Sequence, residues 1–248
     1  YYTTTASGNS SFGHGALKAN TTGPNNTGIG YLSLDANTTG SSNTAVGVNS
    51  MTSNTTAGGN TAIGGYMTLG SVTAGIRNNA MGHSAGHSLT TGNYNIAIGH
   101  KALFTEDAHG RNTAIGWKAL SVQNAGADAY NVAVGFQAGS QITTGIFNTL
   151  IGGFAGDALT VGNSNVVLGY DALSSEQQGD RNVAVGFKAL QNQNNTSSTD
   201  VYNTAVGYSA GLSVSTGLYN TLIGGLAGDA LTTGSRNVAI GFGSLSLE

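Results

Sequence analysis

The sequence has no cysteine, a single proline and few charges. Without Cys there is neither a disulfide framework nor a thiolate metal site. No apolar run approaches the about 18 residues of a membrane-spanning helix, so we expect no membrane insertion. Lys and Arg number 8 against 11 Asp and Glu, and the net charge of −3 is spread thinly. That balance predicts no nucleic-acid partner.

Glycine is abundant instead, and with asparagine it marks a repeat. The motif is Asn-[Thr/Val]-Ala-[Ile/Val]-Gly-x-x-Ala, and residues 182–190 are a representative copy. Its Asn recurs at Asn9, Asn26, Asn43, Asn60, Asn78, Asn95, Asn112, Asn131, Asn148, Asn165, Asn182, Asn203, Asn220 and Asn237. The spacing is 17 residues in ten of the thirteen gaps. Fourteen copies predict one repeat domain over residues 1–248, with repeats beginning at Asn9.

Short apolar segments between Gly-rich turns are typical of β-structure, and no helical period persists. The sequence therefore predicts an all-β fold, a parallel β-solenoid of about 14 coils with one 17-residue repeat per coil. Each repeat is numbered here from its Asn as position 1. Asn at position 1 can form a hydrogen-bonded ladder from coil to coil, and Gly at position 5 permits unusual backbone or close approach. The ladder residues that we single out are Asn112, Gly116, Asn131, Gly135, Asn182, Gly186, Asn203 and Gly207.

Positions 3 and 4 are both apolar, although side chains alternate along a strand. Position 4 is always bulky, as at Ile115, and we expect it inside the coil. Position 3 is mostly Ala, as at Ala114, and would then point outward. A strand that is apolar on both faces is usually buried on both. We therefore expect a side-by-side homotrimer with position 3 near its axis; the alternative is that the Ala residues are simply exposed.

A second, longer repeat spans several coils. Position 9 is Leu in some coils and Gly in others, and an apolar residue then follows three positions later, which indicates core packing. Residues 152–159 match residues 224–231, which start 72 positions later. Longer insertions at 121–130 and 191–202 occupy corresponding places. Together these features predict a four-coil super-repeat.

The best copies of the motif, at residues 112–120 and 203–211, resemble the head repeat of the trimeric autotransporter adhesins. They equally resemble the NTAVGY-type repeats of phage tail-fibre and related surface-fibre proteins. The resemblance covers essentially the whole chain. It implies a left-handed parallel β-roll, three chains side by side, and an extracellular, cell-surface or virion location. The adhesin repeat is shorter than this one, which leaves the handedness and the trimer contact open.

Residues that could carry chemistry do not form a catalytic pattern. His14, His83 and His100 occupy position 6, where other coils have Tyr, Trp or Phe, so we interpret them as part of an aromatic surface column. Asp157 and Asp229 lie four coils apart, too far for a carboxylate pair. We therefore predict no enzyme, no cofactor and no metal site, apart from adventitious binding at His83 and His100.

The sequence leaves three functions to weigh. The first is a fibre or head module for surface attachment or receptor binding. The second is a purely structural shaft or self-assembling extracellular filament. The third is ice binding through the Thr residues of position 2, which Val and Ile at other copies and the irregular coil lengths disfavour.

If a receptor is bound, we expect the longest insertion, 191–202, to contact it. The insertion is polar and ends in an aromatic residue, and Phe187 and Tyr208 nearby could stack on a sugar. The partner would be a cell-surface glycan or protein receptor, bound with avidity by a trimer. The residues predicted to make this contact are Asn192, Asn194, Asn195, Asp200, Tyr202, Phe187 and Tyr208. Arg111, Arg181 and Arg236, each directly before an Asn, form either a solvated stripe or a carbohydrate-contacting surface.

Overall fold

The computed structural model describes residues 6–246, and it confirms the predicted fold class. The chain is an all-β parallel β-solenoid of about 14 coils, without a helix in the part that is described. Accordingly, nothing in residues 6–246 forms a helix long and apolar enough to cross a membrane. The chain divides into two compact units, Tyr1–Asp128 and Ala129–Glu248. The single domain over 1–248 stays a prediction.

The first unit contributes seven strands that pair in chain order. They are β1 (Ser10–Phe12), β2 (Thr27–Ile29), β3 (Thr44–Val48), β4 (Thr61–Tyr66), β5 (Asn79–Met81), β6 (Ile96–Ile98) and β7 (Thr113–Ile115). The pairings within this unit are parallel and join equivalent positions of successive repeats, so that Thr27 pairs with Thr44 and Thr44 with Thr61. The exception is Val48 at position 6, which pairs with Tyr66 at position 7 across an irregularity between β3 and β4. One repeat therefore makes one coil.

The second unit repeats this arrangement and adds a small second sheet. Its main strands are β8 (Val132–Val134), β9 (Thr149–Ile151), β10 (Val166–Leu168), β12 (Val183–Val185), β14 (Thr204–Val206), β15 (Thr221–Ile223) and β16 (Val238–Ile240). The small sheet pairs β11 (Gly179–Asp180) with β13 (Thr199–Asp200) in parallel. The 21-residue coil between Asn182 and Asn203 does not shift the main register, because Val183 still pairs with Thr204.

The expected orientation of the strands is wrong, because position 3 faces inward and position 4 faces outward. Position 3 is buried in every coil from Gly28 onward, whereas position 4 is partly or largely exposed in every coil. Leu222 and Ile223 illustrate the contrast: they are adjacent, with exposed fractions of 0% and 38%. The interior of each coil therefore contains the smaller of the two apolar columns.

The physical reason lies on the opposite wall of the coil. A large aliphatic side chain from position 9 or 12, such as Leu190 or Leu159, is fully buried there. Little room then remains on the strand side, and Ala fits. Where position 3 is Leu, as at Leu150 and Leu222, position 9 is Gly. A Cβ on Gly156 would lie 2.8 Å from Leu159 Cδ1 and 3.0 Å from Leu150 Cδ2. The expected exchange between Leu and Gly at position 9 is thus a matter of interior volume.

Backbone conformation explains why Gly is the alternative to Leu at position 9. Leu190 has φ of 52°, in the left-handed region that L-residues other than Asn rarely adopt. Gly156 has a similar φ of 55°. Leu at this position fills the interior at the expense of backbone strain, and Gly relieves the strain but leaves the filling to position 12.

The Asn column forms a buried ladder. The side-chain Oδ1 of one Asn accepts the backbone N–H of the next Asn, for example over 2.9 Å from Asn43 to Asn26 and over 2.8 Å from Asn148 to Asn131. The Nδ2 group donates to a carbonyl in its own coil, as from Asn148 to Gly162 over 2.9 Å. Carboxamides of this column thereby satisfy buried backbone N–H and C=O groups that have no partner in the sheet.

The long coil interrupts this ladder once in the second unit. Oδ1 of Asn182 is buried and accepts no hydrogen bond from the described residues. Asn203, one coil further on, instead donates its Nδ2 to Gln193 Oε1 over 2.8 Å. Extra residues can therefore be inserted into a coil without shifting the strands, but one hydrogen bond of the Asn ladder is lost.

Candidate functional site

Phe187 and Tyr208 belong to a stack of rings at position 6. The ring centroids of Tyr170 and Phe187 are 5.8 Å apart, and those of Phe187 and Tyr208 are 5.4 Å apart with an interplanar angle of 6°. Both faces of Phe187 are thus covered by neighbouring rings, and its edge points to solvent. A sugar cannot stack on Phe187 as we expected. Tyr208, 60% exposed, is followed in the next coil by Gly225, so one of its faces has no ring neighbour at position 6.

Position-6 residues of the first unit form a similar stack with Tyr66, which stands at position 7 of its longer coil. This stack agrees with the aromatic interpretation of the histidines. Centroids lie 5.7 Å apart for Tyr66 and His83, 5.2 Å for His83 and His100, and 6.3 Å for His100 and Trp117. Desolvation lowers the pKa of His100, and the charges of His83, Lys101 and Lys118 lower it further. Neutral imidazole, which stacks without charge repulsion, is therefore favoured at this position.

A second column is formed by the residue before each Asn, and it contains Tyr202, with Asp200 close by in the sequence. We call Arg181, Tyr202, Tyr219 and Arg236 the Arg–Tyr column. Arg181 Cζ lies 5.5 Å from the Tyr202 ring centroid, and Arg236 Cζ lies 5.4 Å from that of Tyr219. The two tyrosine rings stack with centroids 6.0 Å apart. Arg181 also forms an ion pair with Asp200. The column is a pair of stacked phenol rings with a guanidinium cation at each end.

The first unit has the same construction. Arg77 Cζ and Arg111 Cζ lie 5.5 Å and 5.7 Å from the Tyr94 ring centroid, and Arg77 donates to the Tyr94 hydroxyl over 2.8 Å. Arg111 forms an ion pair with Asp128. Sequence reasoning found Arg111, Arg181 and Arg236 in these columns and named Tyr202 as a contact residue, but it missed Arg77, Tyr94 and Tyr219. The sequence could have revealed this column, because all these residues directly precede the Asn of a repeat.

Much of the insertion 191–202 is structural, contrary to our expectation of a free polar loop. Asn195 is buried, and its Nδ2 donates to Glu176 Oε2 over 2.9 Å, so it cannot contact a ligand at the surface. Gln193 and Val201 are buried as well. The backbone N–H groups of Asn192 and Asn194 donate to the following coil. Residues 196–198, together with the side chains of Asn192 and Asp200, remain exposed.

The predicted site residues therefore separate into two groups. Asp200 and Tyr202 meet at Arg181, whereas Phe187 and Tyr208 form part of the position-6 stack. The first group offers a guanidinium, a carboxylate and a phenol hydroxyl beside exposed hydroxyls at 196–198. Such groups can donate and accept hydrogen bonds to a hydroxyl-rich or anionic ligand. Comparisons with protein-family models, with curated proteins and with solved structures find no match to this chain.

Proposed function

We propose that this chain is a non-enzymatic fibre or head module that associates side by side with identical chains and attaches to a target surface. Three chains are taken from the resemblance to adhesin heads, and an extracellular, cell-surface or virion location follows from the same source. The observation that supports association is an uncovered apolar face on the main sheet. The observation that supports attachment is the exposed group around Arg181.

The uncovered face consists of positions 2 and 4, which flank the buried position 3. Large apolar side chains are exposed at position 4 in both units: Phe12, Ile29, Ile63, Met81 and Ile98 in the first, and Ile151, Ile223 and Ile240 in the second. Val166 and Val238 extend the face at position 2. Contiguous apolar surface of this kind is typical of an interaction site.

A second copy of this chain is the partner whose surface matches the face best. The apolar residues recur at the spacing of neighbouring strands, about 4.8 Å. An identical sheet face has the same spacing and can bury one residue per coil along its length. Association around an axis would cover the face on every chain. Position 4, rather than position 3, would then lie near the axis.

Two neighbouring substitutions test this association. Leu222→Asp places a charge inside the coil and should abolish the β-type circular dichroism spectrum of the second unit. Ile223→Asp points outward, so the spectrum should persist while the mass from light scattering falls to that of one chain, 24.8 kDa. A wild-type chain that already scatters as a 24.8 kDa monomer at micromolar concentration would overturn the proposed association.

Attachment through the group around Arg181 has a separate test. The double variant Asp200→Ala/Tyr202→Ala removes the exposed carboxylate and phenol, and we expect binding to a glycan array or to target cells to fall roughly tenfold or more. Tyr208→Ala, in the other column, is the matched control and should bind normally. If Tyr208→Ala loses binding and the double variant keeps it, the open face of Tyr208 is the site instead.

One observation also favours ice binding as a second candidate. Thr27, Thr44 and Thr61 face outward from three consecutive strands in register. In addition, the 21-residue coil does not shift the strands, so irregular coil lengths do not break the outward face of the second unit. Thermal hysteresis in the wild-type chain that is lost in Thr44→Tyr would favour this function. A chain that associates but shows neither hysteresis nor target binding would fit the structural shaft.

A further inference from the structure

Among the described residues, position 12 holds a buried polar residue in the coils whose position 9 is Leu or Met. These residues are Asn20, Asn37, Asn54, Glu106, Gln123, Glu176 and Gln193. Their ordinary role is to cap the turn that follows. Asn54 Oδ1, for example, accepts the backbone N–H of Ala57 over 3.0 Å. A carboxylate at this position needs more donors than a carboxamide, because its charge is buried.

Glu176 has those donors. Its Oε1 accepts backbone N–H groups from Gln178 over 3.1 Å, from Gly179 over 2.8 Å and from Asn195 over 3.0 Å. Its Oε2 accepts the side-chain amides of Gln193 over 2.8 Å and Asn195 over 2.9 Å. The charge is therefore satisfied by the protein itself, and this residue serves as an internal reference for Glu106.

Glu106 stands at the same position in the first unit and lacks most of these donors. Its side chain is 0% exposed, its Oε1 accepts the N–H of His109 over 3.3 Å, and its Oε2 has no hydrogen-bond partner among the described residues. The residue that corresponds to Asn195 is Ala125, which has no carboxamide. Gln123 corresponds to Gln193 but directs its Nε2 to Asn112 over 3.2 Å. Burial raises the pKa of Glu106.

Two further side chains that can bind a metal stand close to Glu106 in the sequence. Where Glu176 is followed by Gln177 and Gly179, Glu106 is followed by Asp107 and His109. One ligand atom from each of Glu106, Asp107 and His109 lies within 4.8 Å of the others. His109 Nδ1 is 3.6 Å from Glu106 Oε1 and, like Glu106 Oε2, is buried without a hydrogen-bond partner among the described residues. Ligands at about 2.0–2.2 Å from a tetrahedral Zn²⁺ ion are roughly 3.3–3.6 Å apart, so the distance between His109 and Glu106 fits such an ion, and Asp107 would have to move closer if it lies near the 4.8 Å limit.

We propose that Glu106, Asp107 and His109 form a binding site for a divalent transition-metal ion, with Zn²⁺ as the ion that its mixed oxygen and nitrogen ligands suit well. Two carboxylates would balance the charge of the ion, and the nearby cation Arg111 is already paired with Asp128. The preceding coil and the ladder Asn of the same coil fix the backbone of the site. Thr90 N–H donates to the Asp107 carbonyl over 2.6 Å, and Asn95 Nδ2 donates to the His109 carbonyl over 3.2 Å. The ion would tie the turn of one coil together.

The test uses the full chain without an affinity tag, stripped of metal by a chelator. Co²⁺ is the probe, because its visible absorption reports the ligand geometry, and Zn²⁺ should displace it. We expect one equivalent of Co²⁺ per chain. Glu106→Gln and His109→Asn should each weaken binding by more than about a hundredfold, since even the partners of metal ligands contribute 10- to 100-fold. Circular dichroism confirms that the variants are folded.

Two control variants distinguish this site from metal binding elsewhere on the chain. Glu176→Gln changes the equivalent carboxylate in the second unit and should leave Co²⁺ binding unchanged. His100→Asn removes an imidazole from the surface stack and should also leave it unchanged. The proposal is overturned if the wild-type chain gives no Co²⁺ absorption bands, which would leave Glu106 and His109 as an ion pair only. It is equally overturned if His100→Asn abolishes binding while His109→Asn does not.

Discussion

The glycine column at position 5 gives a sharp test of how closely the coils stack. Gly186 has φ of 135°, which L side chains rarely adopt, and a Cβ there would lie 2.3 Å from the carbonyl oxygen of Gly207 in the next coil. Ordinary contacts begin near 3.4 Å. Gly186→Ala therefore requires the two coils to separate locally by about 1 Å or the backbone to rotate.

The cost follows from the hydrogen bonds at this place. Gly186 N–H donates to Leu168 over 2.7 Å, and Gly207 N–H donates to Val185 over 2.8 Å. A displacement of about 1 Å stretches such a bond beyond its useful length, at about 1 kcal/mol net for each bond. The unfavourable φ adds about 1–3 kcal/mol. We expect Gly186→Ala to destabilise the second unit by about 3 kcal/mol or more, which lowers Tm by roughly 10 °C.

Gly153→Ala is the matched control in the same unit. Gly153 does not have a positive φ, and a Cβ there would lie 3.4 Å from Tyr170 Cδ2, an ordinary contact. Replacing such a Gly restricts the unfolded chain, so the change should be neutral or stabilising by up to about 1 kcal/mol. Thermal melting followed by circular dichroism measures both variants. Equal melting temperatures for the two variants would refute the close stacking at position 5.

Two further predictions concern buried polar groups. Asn165→Ala should destabilise the second unit by about 2–3 kcal/mol because Asn165 Oδ1 accepts the N–H of Asn182 over 2.9 Å and its Nδ2 donates to Gly179 over 3.0 Å. Asn182→Ala should cost less, since its Oδ1 has no partner among the described residues; denaturant titration that ranks the two in the opposite order contradicts the ladder. Burial raises the pKa of Asp157 to about 6, with the charge of Asp171 adding to the effect. A raised folded pKa gives stability that is present below the ordinary value of 3.8 and is lost as the pH rises through about 6. Asp157→Asn should therefore raise Tm at pH 7 and lose that advantage near pH 3.5; an advantage that is independent of pH would contradict the assignment.

The sequence alone was sufficient for the period, the coil and the residues that link coils. Asn at position 1 forms hydrogen bonds to backbone groups that the sheet leaves unpaired, and Gly at position 5 allows the backbones of successive coils to approach closely. Both requirements recur along the solenoid. A need that repeats leaves a column of identical residues. The exchange of Leu and Gly at position 9 could be interpreted for the same reason, since the compensating residue stands three positions later in the same coil.

Only the tertiary structure decided which side of the strand faces inward and which polar residues are free. Because side chains alternate along a strand, positions 3 and 4 face opposite sides, but the pattern does not show which of two apolar columns faces the interior. That depends on the volume that side chains such as Leu190 or Leu159 occupy on the opposite wall of the coil. The insertion 191–202 looked like a free loop because it is polar, yet Asn195 is held by a carboxylate 19 residues earlier. Glu106 and Glu176 occupy the same position, but donors from the same coil and, above all, side-chain amides from the next coil satisfy Glu176, whereas Oε2 of Glu106 has no partner among the described residues. Such differences depend on contacts between residues of different coils, and the sequence of a single repeat does not show these contacts.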